Sequence, residues 1–343
     1  MLDDLKYIHE KDAQDALGIA EKQWQQLEHK FDLPELSFPI DNIVFAGMGG
    51  SALAALLSLS WPDYMLPFEI SRDYQIPSYV NEKTLFIASS YSGNTEETVE
   101  ALETAASKNA HIAVISSGGR LQEIAHERGY PFAQLPGGYQ PRHAVLYGLK
   151  ALVTILERAK LLSTASAEQS LHEAAQFIRE STAEWRPDVK TVSNPAKQLA
   201  LELAGKSPVI YAGPLLFPAA YKWKISFNEN AKNVAWCNQF PEFNHNEFLG
   251  WTSHPIDKPY GVIELQSDLE HERVQKRFTV TNKLLSGRWP QPHIVEAKGE
   301  TVLEQLLWMV ALGDFVSLYV ALLNGLNPTP VDLIEKFKTE LTK

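Results

Sequence analysis

The chain has 343 residues, 45% of them hydrophobic and 21% charged, a globular mix that excludes disorder, collagen and a small disulfide scaffold. Lys plus Arg number 31 against 42 Asp plus Glu, a formal charge of −11, which makes nucleic acid a poor partner because phosphate backbones are bound through surplus basic groups. Cys237 is the lone cysteine, so no intrachain disulfide can form and a cytoplasmic setting is the simplest expectation.

The first residues, Met1-Leu-Asp-Asp-Leu-Lys6, are acidic and carry no apolar run, so no secretory signal is expected. Residues 3–31 predict polar helices with Leu17, Ile19, Trp24 and Leu27 as their apolar stripe. Asn42-Ile-Val-Phe-Ala-Gly47 predicts a strand, followed by a Gly/Ser loop and a small-residue helix over 52–59. A second strand is expected at 84–89, a helix at 96–108 and a third strand at 111–115. Strands alternating with helices predict a mainly parallel α/β sheet.

Residues 143–206 read as helical almost throughout, with Leu149, Leu152, Ile155 and Leu156 at helical spacing, as are Leu171, Ala175 and Ile178. The strand–glycine pattern then returns at Pro208-Val-Ile-Tyr-Ala-Gly213, with strands expected at 232–236, 260–265, 277–281 and 293–296. Two similar α/β domains in tandem follow: 1–155 with leading helices, a helical connection at 156–206, and 207–343. Residues 302–323 reach membrane-span length but contain Glu304, Gln305 and Asp314. A mid-bilayer carboxylate costs about 2.5–3.5 kcal/mol, so a core or interface helix is expected and no membrane partner. Its apolar character argues for a dimer.

The loop Gly47-Met-Gly49-Gly50-Ser51-Ala52 lies between a strand and a helix, where glycines admit a ligand to the backbone and unpaired N–H groups face an anion. Gly47-x-Gly49-x-x-Ala52, with Glu69 downstream, also fits the loose dinucleotide fingerprint. The next such loop carries Ser89, Ser90, Ser92 and Thr95 within seven positions. Asn94 and Glu97 have capping-box spacing, but a cap needs one hydroxyl or amide. Two such loops would converge at the carboxyl edge of a parallel sheet. A dinucleotide needs one of them; a phosphate monoester on a sugar uses both.

Gly205-Lys206-Ser207 is not a phosphate loop, because Ala200 stands at the first glycine position. The turn Gly213-Pro-Leu-Leu216 lacks hydroxyls, so no second phosphate is expected there. The second half instead carries Asn228-Glu229-Asn230-Ala231-Lys232 and Asn244-His245-Asn246-Glu247, framed by Trp223, Phe227, Trp236 and Trp251. This suits proton transfer in a partly dry site, or equally a solvated helix end and a polar turn. Arg142, in Pro136-Gly-Gly-Tyr-Gln-Pro-Arg142-His143, holds an oxyanion or caps a helix. The ten histidines show no HxxxH or HExxH spacing, so no metal is expected. Lys338 reads as a surface lysine on a final helix with Pro330 in its first turn.

Gly-Met-Gly-Gly-Ser at 47–51, Ser-Tyr-Ser-Gly-Asn-Thr-Glu-Glu-Thr at 90–98, Asn-Glu-Asn-Ala-Lys at 228–232 and Asn-His-Asn-Glu-Phe at 244–248 together resemble the bifunctional phosphoglucose/phosphomannose isomerases. These belong to the phosphoglucose isomerase superfamily, and the resemblance runs over essentially the whole chain. It implies two tandem sugar isomerase (SIS) domains, each a mainly parallel sheet flanked by helices in a flavodoxin-like three-layer sandwich. It implies interconversion of glucose 6-phosphate, and mannose 6-phosphate, with fructose 6-phosphate through a cis-enediol(ate), with no metal and no cofactor.

By resemblance, Gly50, Ser51, Ser90, Ser92 and Thr95 hold the sugar phosphate, and Arg142 stabilises the enediolate. Glu229 moves the proton between C1 and C2, and Lys338 assists at the ring oxygen. His245 opens the ring from the neighbouring subunit of a homodimer. Thr329 is expected to line the C2 end. Lys222, in Lys222-Trp223-Lys224, stands where relatives carry Arg, and loses bidentate geometry; His143 stands where a small residue is common. The alternatives are a non-catalytic sugar-phosphate-binding SIS protein and an NAD(P)-dependent oxidoreductase.

Overall fold

The computed structural model describes residues 1–252 and 259–341. The chain forms two compact units, residues 22–177 and residues 1–21 with 178–343. In chain order the elements are α1 (Leu5–Lys11), α2 (Ala16–Glu21), α3 (Trp24–Leu27), β1 (Asn42–Ala46), α4 (Gly49–Ser58), β2 (Phe68–Ser71), β3 (Thr84–Ser89), α5 (Glu96–Ser107), β4 (His111–Ser116), α6 (Gly119–Arg128), β5 (Phe132–Gln134), α7 (Val145–Arg158) and α8 (Ala167–Thr182). They continue with α9 (Pro195–Leu203), β6 (Ser207–Ala212), α10 (Phe217–Asn230), β7 (Trp236–Gln239), α11 (Glu247–Gly250), β8 (Tyr260–Gln266), α12 (Glu272–Leu284), β9 (His293–Glu296), α13 (Val302–Leu323) and α14 (Asp332–Leu341).

In the first unit five parallel strands lie in the order β2-β1-β3-β4-β5, the doubly wound order of flavodoxin-like sheets. Side chains alternate across it. Ile43, Phe45, Leu85, Ile87, Ala113 and Ile115 pack with α7, while Val44, Ala46, Phe86, Ala88, Ile112 and Val114 pack with α5 and α6. Helices on both faces leave β3 buried along its whole length, which is why it reads as an unbroken apolar run. The stripe of Leu149, Leu152, Ile155 and Leu156 is fully buried on α7. Residues 143–206 are mostly helical as expected, divided into α7, α8 and α9. Left-handed turns at Lys160 (φ +56°) and Ser166 (φ +53°) separate α7 from α8, and Pro195 starts α9.

The second unit holds four parallel strands in the order β7-β6-β8-β9. Val209, Tyr211 and Val262 face a cluster of Phe240, Phe243, Trp251, Phe278 and Trp289. That cluster contains no residue of α10, which packs on β6 and β7 from the other face and is itself packed against α13. Two strand expectations are corrected. Residues 277–281 lie inside α12, because Val274, Phe278 and Thr281 form a buried helical stripe that outweighs their β-branched composition. Residues 232–235 are not strand: Lys232 is left-handed (φ +51°) and β7 begins only at Trp236.

Helix α13 covers 302–323 as expected and is buried at Leu303 and from Gln305 to Leu322. It is a core helix of its own unit, apolar all round, so it gives no argument for a dimer. Its start is fixed by a capping box between Thr301 and Glu304. Residues 1–21 fold with this unit rather than ahead of the first sheet: the Tyr7 hydroxyl donates to Leu322 O at 2.6 Å, and Lys197 Nζ donates to Asp3 at 3.2 Å.

Candidate active site

At the carboxyl edge of the first sheet, α4 and α5 begin at Gly49 and Glu96, and neither N-cap, Met48 or Thr95, caps its helix with a side chain. The expected Asn94–Glu97 capping box is absent; Asn94 Oδ1 accepts from Arg120 N at 2.9 Å instead. The hydroxyls are thus released from capping and organise one another. Ser90 Oγ lies 2.7 Å from Thr95 Oγ1 and 3.5 Å from Ser92 Oγ. Ser90 Oγ also accepts from Gly93 N at 3.1 Å, and Ser51 Oγ accepts from Tyr91 N at 2.9 Å, joining the two loops. Gly93 has φ +73°, and a Cβ there would fall 1.8 Å from Gly118 O, so only glycine fits.

Arg142 reaches the same edge. It sits in a 3₁₀ turn, Pro141–His143, and is 1% exposed, with Nη1 3.5 Å from Gln140 Oε1. A Cβ on Gly50 would lie 2.8 Å from Pro141 C and 2.9 Å from Arg142 N. The glycine therefore admits the arginine turn against the first residues of α4. Tyr91, which sequence reasoning passed over, fastens this arrangement. Its hydroxyl donates to Pro136 O at 2.9 Å and accepts from Tyr139 N at 2.8 Å, and burial pushes it above the usual phenol range. Its position inside the hydroxyl motif was the available signal. The structure thus gathers Gly50, Ser51, Ser90, Ser92, Thr95 and Arg142 at one edge, with backbone donors, hydroxyls and a buried cation.

Glu69, the candidate ribose ligand, is exposed on β2 and accepts from the Tyr79 hydroxyl at 2.6 Å.

In the second unit Glu229 is half-buried on the last turn of α10. That helix is pinned to α13 at three levels. Lys222 Nζ and Ser226 Oγ both donate to Asp314, Trp223 Nε1 donates to Met309 O at 2.7 Å, and Asn230 Nδ2 donates to Ser317 Oγ at 2.9 Å. Lys222 is therefore a buried ion-pair partner of α13. His245 ends a 3₁₀ turn beside Phe243, exposed and on the other face of the sheet from α10. The two polar clusters do not form the single framed site that their closeness in sequence suggested. Lys338 lies exposed on α14, 2.9 Å from Glu335 Oε1. Among the described residues no group of three His, Cys, Asp or Glu is placed to hold a metal ion.

The corresponding turn of the second sheet is filled from within. Leu215 N donates to Glu270 Oε2 at 3.0 Å, and a Cβ on Gly213 would fall 2.2 Å from that oxygen. A carboxylate of the chain itself, 7% exposed, stands at this turn, whereas among the described residues no acidic side chain accepts from the backbone at the first turn of α4.

Residues 192–341 match the bacterial phospho-glucose isomerase C-terminal SIS domain. Over 89% of this chain and 90% of the relative, the sequence is 35% identical to a bifunctional phosphoglucose/phosphomannose isomerase from Caldicellulosiruptor bescii. A protein of the same name from Thermoplasma volcanium is 36% identical over 88% of this chain and 91% of its own. The crystal structure of a glucose-6-phosphate isomerase-like protein from Thermus thermophilus superposes with a TM-score of 0.69 at 19% identity, covering 98% of both chains. At that identity the likeness shows the SIS-type fold alone.

Proposed function

The chain belongs to the bifunctional phosphoglucose/phosphomannose isomerase family, and on that premise we propose that it interconverts glucose 6-phosphate and mannose 6-phosphate with fructose 6-phosphate. The observation that carries this reading is the first sheet's edge: two helix N-termini without side-chain caps, ringed by Ser51, Ser90, Ser92 and Thr95, with Gly50 admitting Arg142 beside them. Backbone N–H groups, short hydroxyl donors and helix dipoles together suit a phosphate monoester.

Aldose–ketose isomerisation requires ring opening, removal of a proton α to a carbonyl, and its return to the adjacent carbon. Glu229 is the base that carries the proton between C2 and C1; a positioned carboxylate contributes roughly 10²–10⁴-fold. Negative charge grows on O1 and O2 as the enediolate forms, and the buried guanidinium of Arg142 stabilises it where water is excluded. His245 protonates the ring oxygen and draws the proton from the C1 hydroxyl as the ring opens, acting from a second copy of the chain; Lys338 assists at that oxygen. The exposed setting of His245, away from α10, is in keeping with a role outside its own protomer. Glucose 6-phosphate and mannose 6-phosphate differ only at C2 and give the same enediol, so delivering the proton to either face of C2 yields either aldose.

The test is a coupled assay of the purified protein with each aldose phosphate, run with EDTA. Turnover of both is expected. No turnover of either, together with saturable binding and no exchange of the C2 proton with solvent, would make the protein a sensor instead.

A further inference from the structure

The turn after Glu229 contains a lysine in a backbone conformation that suits glycine. Lys232 has φ +51°, a region disfavoured for any residue with a Cβ, and such outliers persist where the surroundings hold them. The turn closes α10 as a left-handed helix cap, Asn233 N donating to Phe227 O at 3.2 Å, and the ammonium group of Lys232 fastens it to its surroundings. Lys232 Nζ donates to Pro328 O at 2.9 Å, Asn327 O at 3.1 Å and Asn230 O at 3.4 Å. An ammonium has three protons, and here three main-chain carbonyls face it.

These carbonyls belong to two functional segments. Asn230 follows Glu229 directly. Asn327 and Pro328 lie in the strap between α13 and α14, the helix that bears Lys338. The strap is braced further: Thr329 N donates to Asn327 Oδ1 at 3.0 Å, and Asn327 Nδ2 donates to Gln14 Oε1 at 2.9 Å. Beyond it α14 buries no residue, so its direction of departure is set at the strap. Glycine would adopt this backbone without strain, which leaves the side chain as the reason for lysine.

We infer that Lys232 is a positioning residue: one cation ties the turn behind the catalytic carboxylate to the strap that launches the last helix. It meets carbonyls rather than substrate and acts through Glu229 and Lys338. The inference rests on the isomerase reading of those two residues.

The experiment compares the full chain with Lys232→Gly, Lys232→Met and Lys232→Arg. The glycine variant keeps the backbone and removes the cation, so it is expected to fold with an unchanged circular dichroism spectrum. For the Gly and Met variants kcat should fall at least tenfold while KM for fructose 6-phosphate stays within about threefold. Amide exchange across 324–331 should accelerate in both, and the Arg variant should recover part of kcat and of the protection. Wild-type kcat in the glycine variant would overturn the inference, as would a raised KM at unchanged kcat, or a loss of kcat without faster exchange. The exchange measurement is independent of chemistry. If the wild-type protein turned over neither sugar phosphate, the isomerase reading would fall, while faster exchange in the variants would still support the clamp.

Discussion

Both sheets send a glycine-led turn from a central strand into a helix, and the two turns are completed in opposite ways. At 47–51 the helix start is left to hydroxyls and backbone donors, with an arginine admitted by Gly50. At Gly213 the carboxylate of Glu270 closes in from 57 residues away and accepts from Leu215 N. One edge leaves its helix start without a side-chain cap; the other meets a carboxylate of the chain itself. Equal topology does not make equal sites, and what decides is which side chains the later loops return to the strand ends.

The strongest way to break this division of labour is Glu229→Gln. It should cut turnover by roughly 10²–10⁴-fold, measured in the coupled assay, while fructose 6-phosphate still raises the melting temperature. Loss of both would show that the second unit also carries the grip.

Ser90→Ala is next. A hydrogen bond to a charged group is worth about 1.5–3 kcal/mol, so KM should rise roughly 10–150-fold with kcat changed only a few-fold, as steady-state kinetics would show. Glu270→Ala removes the internal anion and leaves Leu215 N without its acceptor. About 1–3 kcal/mol of stability should be lost in urea unfolding, with kcat and KM within about threefold of wild type. A changed KM would mean that the second edge also serves substrate.

The smallest effect concerns Glu264, fully buried in the interior strand β8. Burial raises its carboxyl above the ordinary range, although Asn282 and Gln266 donate to it at 3.0 and 2.7 Å. The folded chain therefore holds this proton more tightly than the unfolded chain. That stability is complete below the unfolded carboxylate's pKa and declines as pH rises towards the folded value. The Glu264→Gln variant does not titrate, so its melting temperature should gain on wild type between pH 4 and pH 7. A difference independent of pH would assign the effect to packing.

Much of this was legible in the residues. The runs at 42–46 and 84–89 are buried on both faces and stand out as apolar blocks. The strands β2 and β5 lie at the edges, are three or four residues long and mix polar with apolar side chains, so they left no such mark. The hydroxyl loop was visible because its members are adjacent in sequence. Gly50 against Arg142, Tyr91 against Tyr139 and Gly213 against Glu270 were not, since each pair is joined only by the path of the fold. Residues 277–281 misled because β-branched composition imitates a strand until Val274 and Phe278 are counted on one helical face.

The second unit draws on segments to either side of the first in the chain, and this has a bearing on synthesis. Tyr7 finds its acceptor at Leu322, about 15–60 s later at ribosomal speeds of 5–20 residues per second. Residues 22–177 are contiguous and can close as they emerge, whereas Leu17 and Ala20 of α2 must wait uncovered for α13. A ribosome stalled before residue 302 would thus leave a finished first unit beside residues 1–21 that lack their helical partner, open to proteases and chaperones.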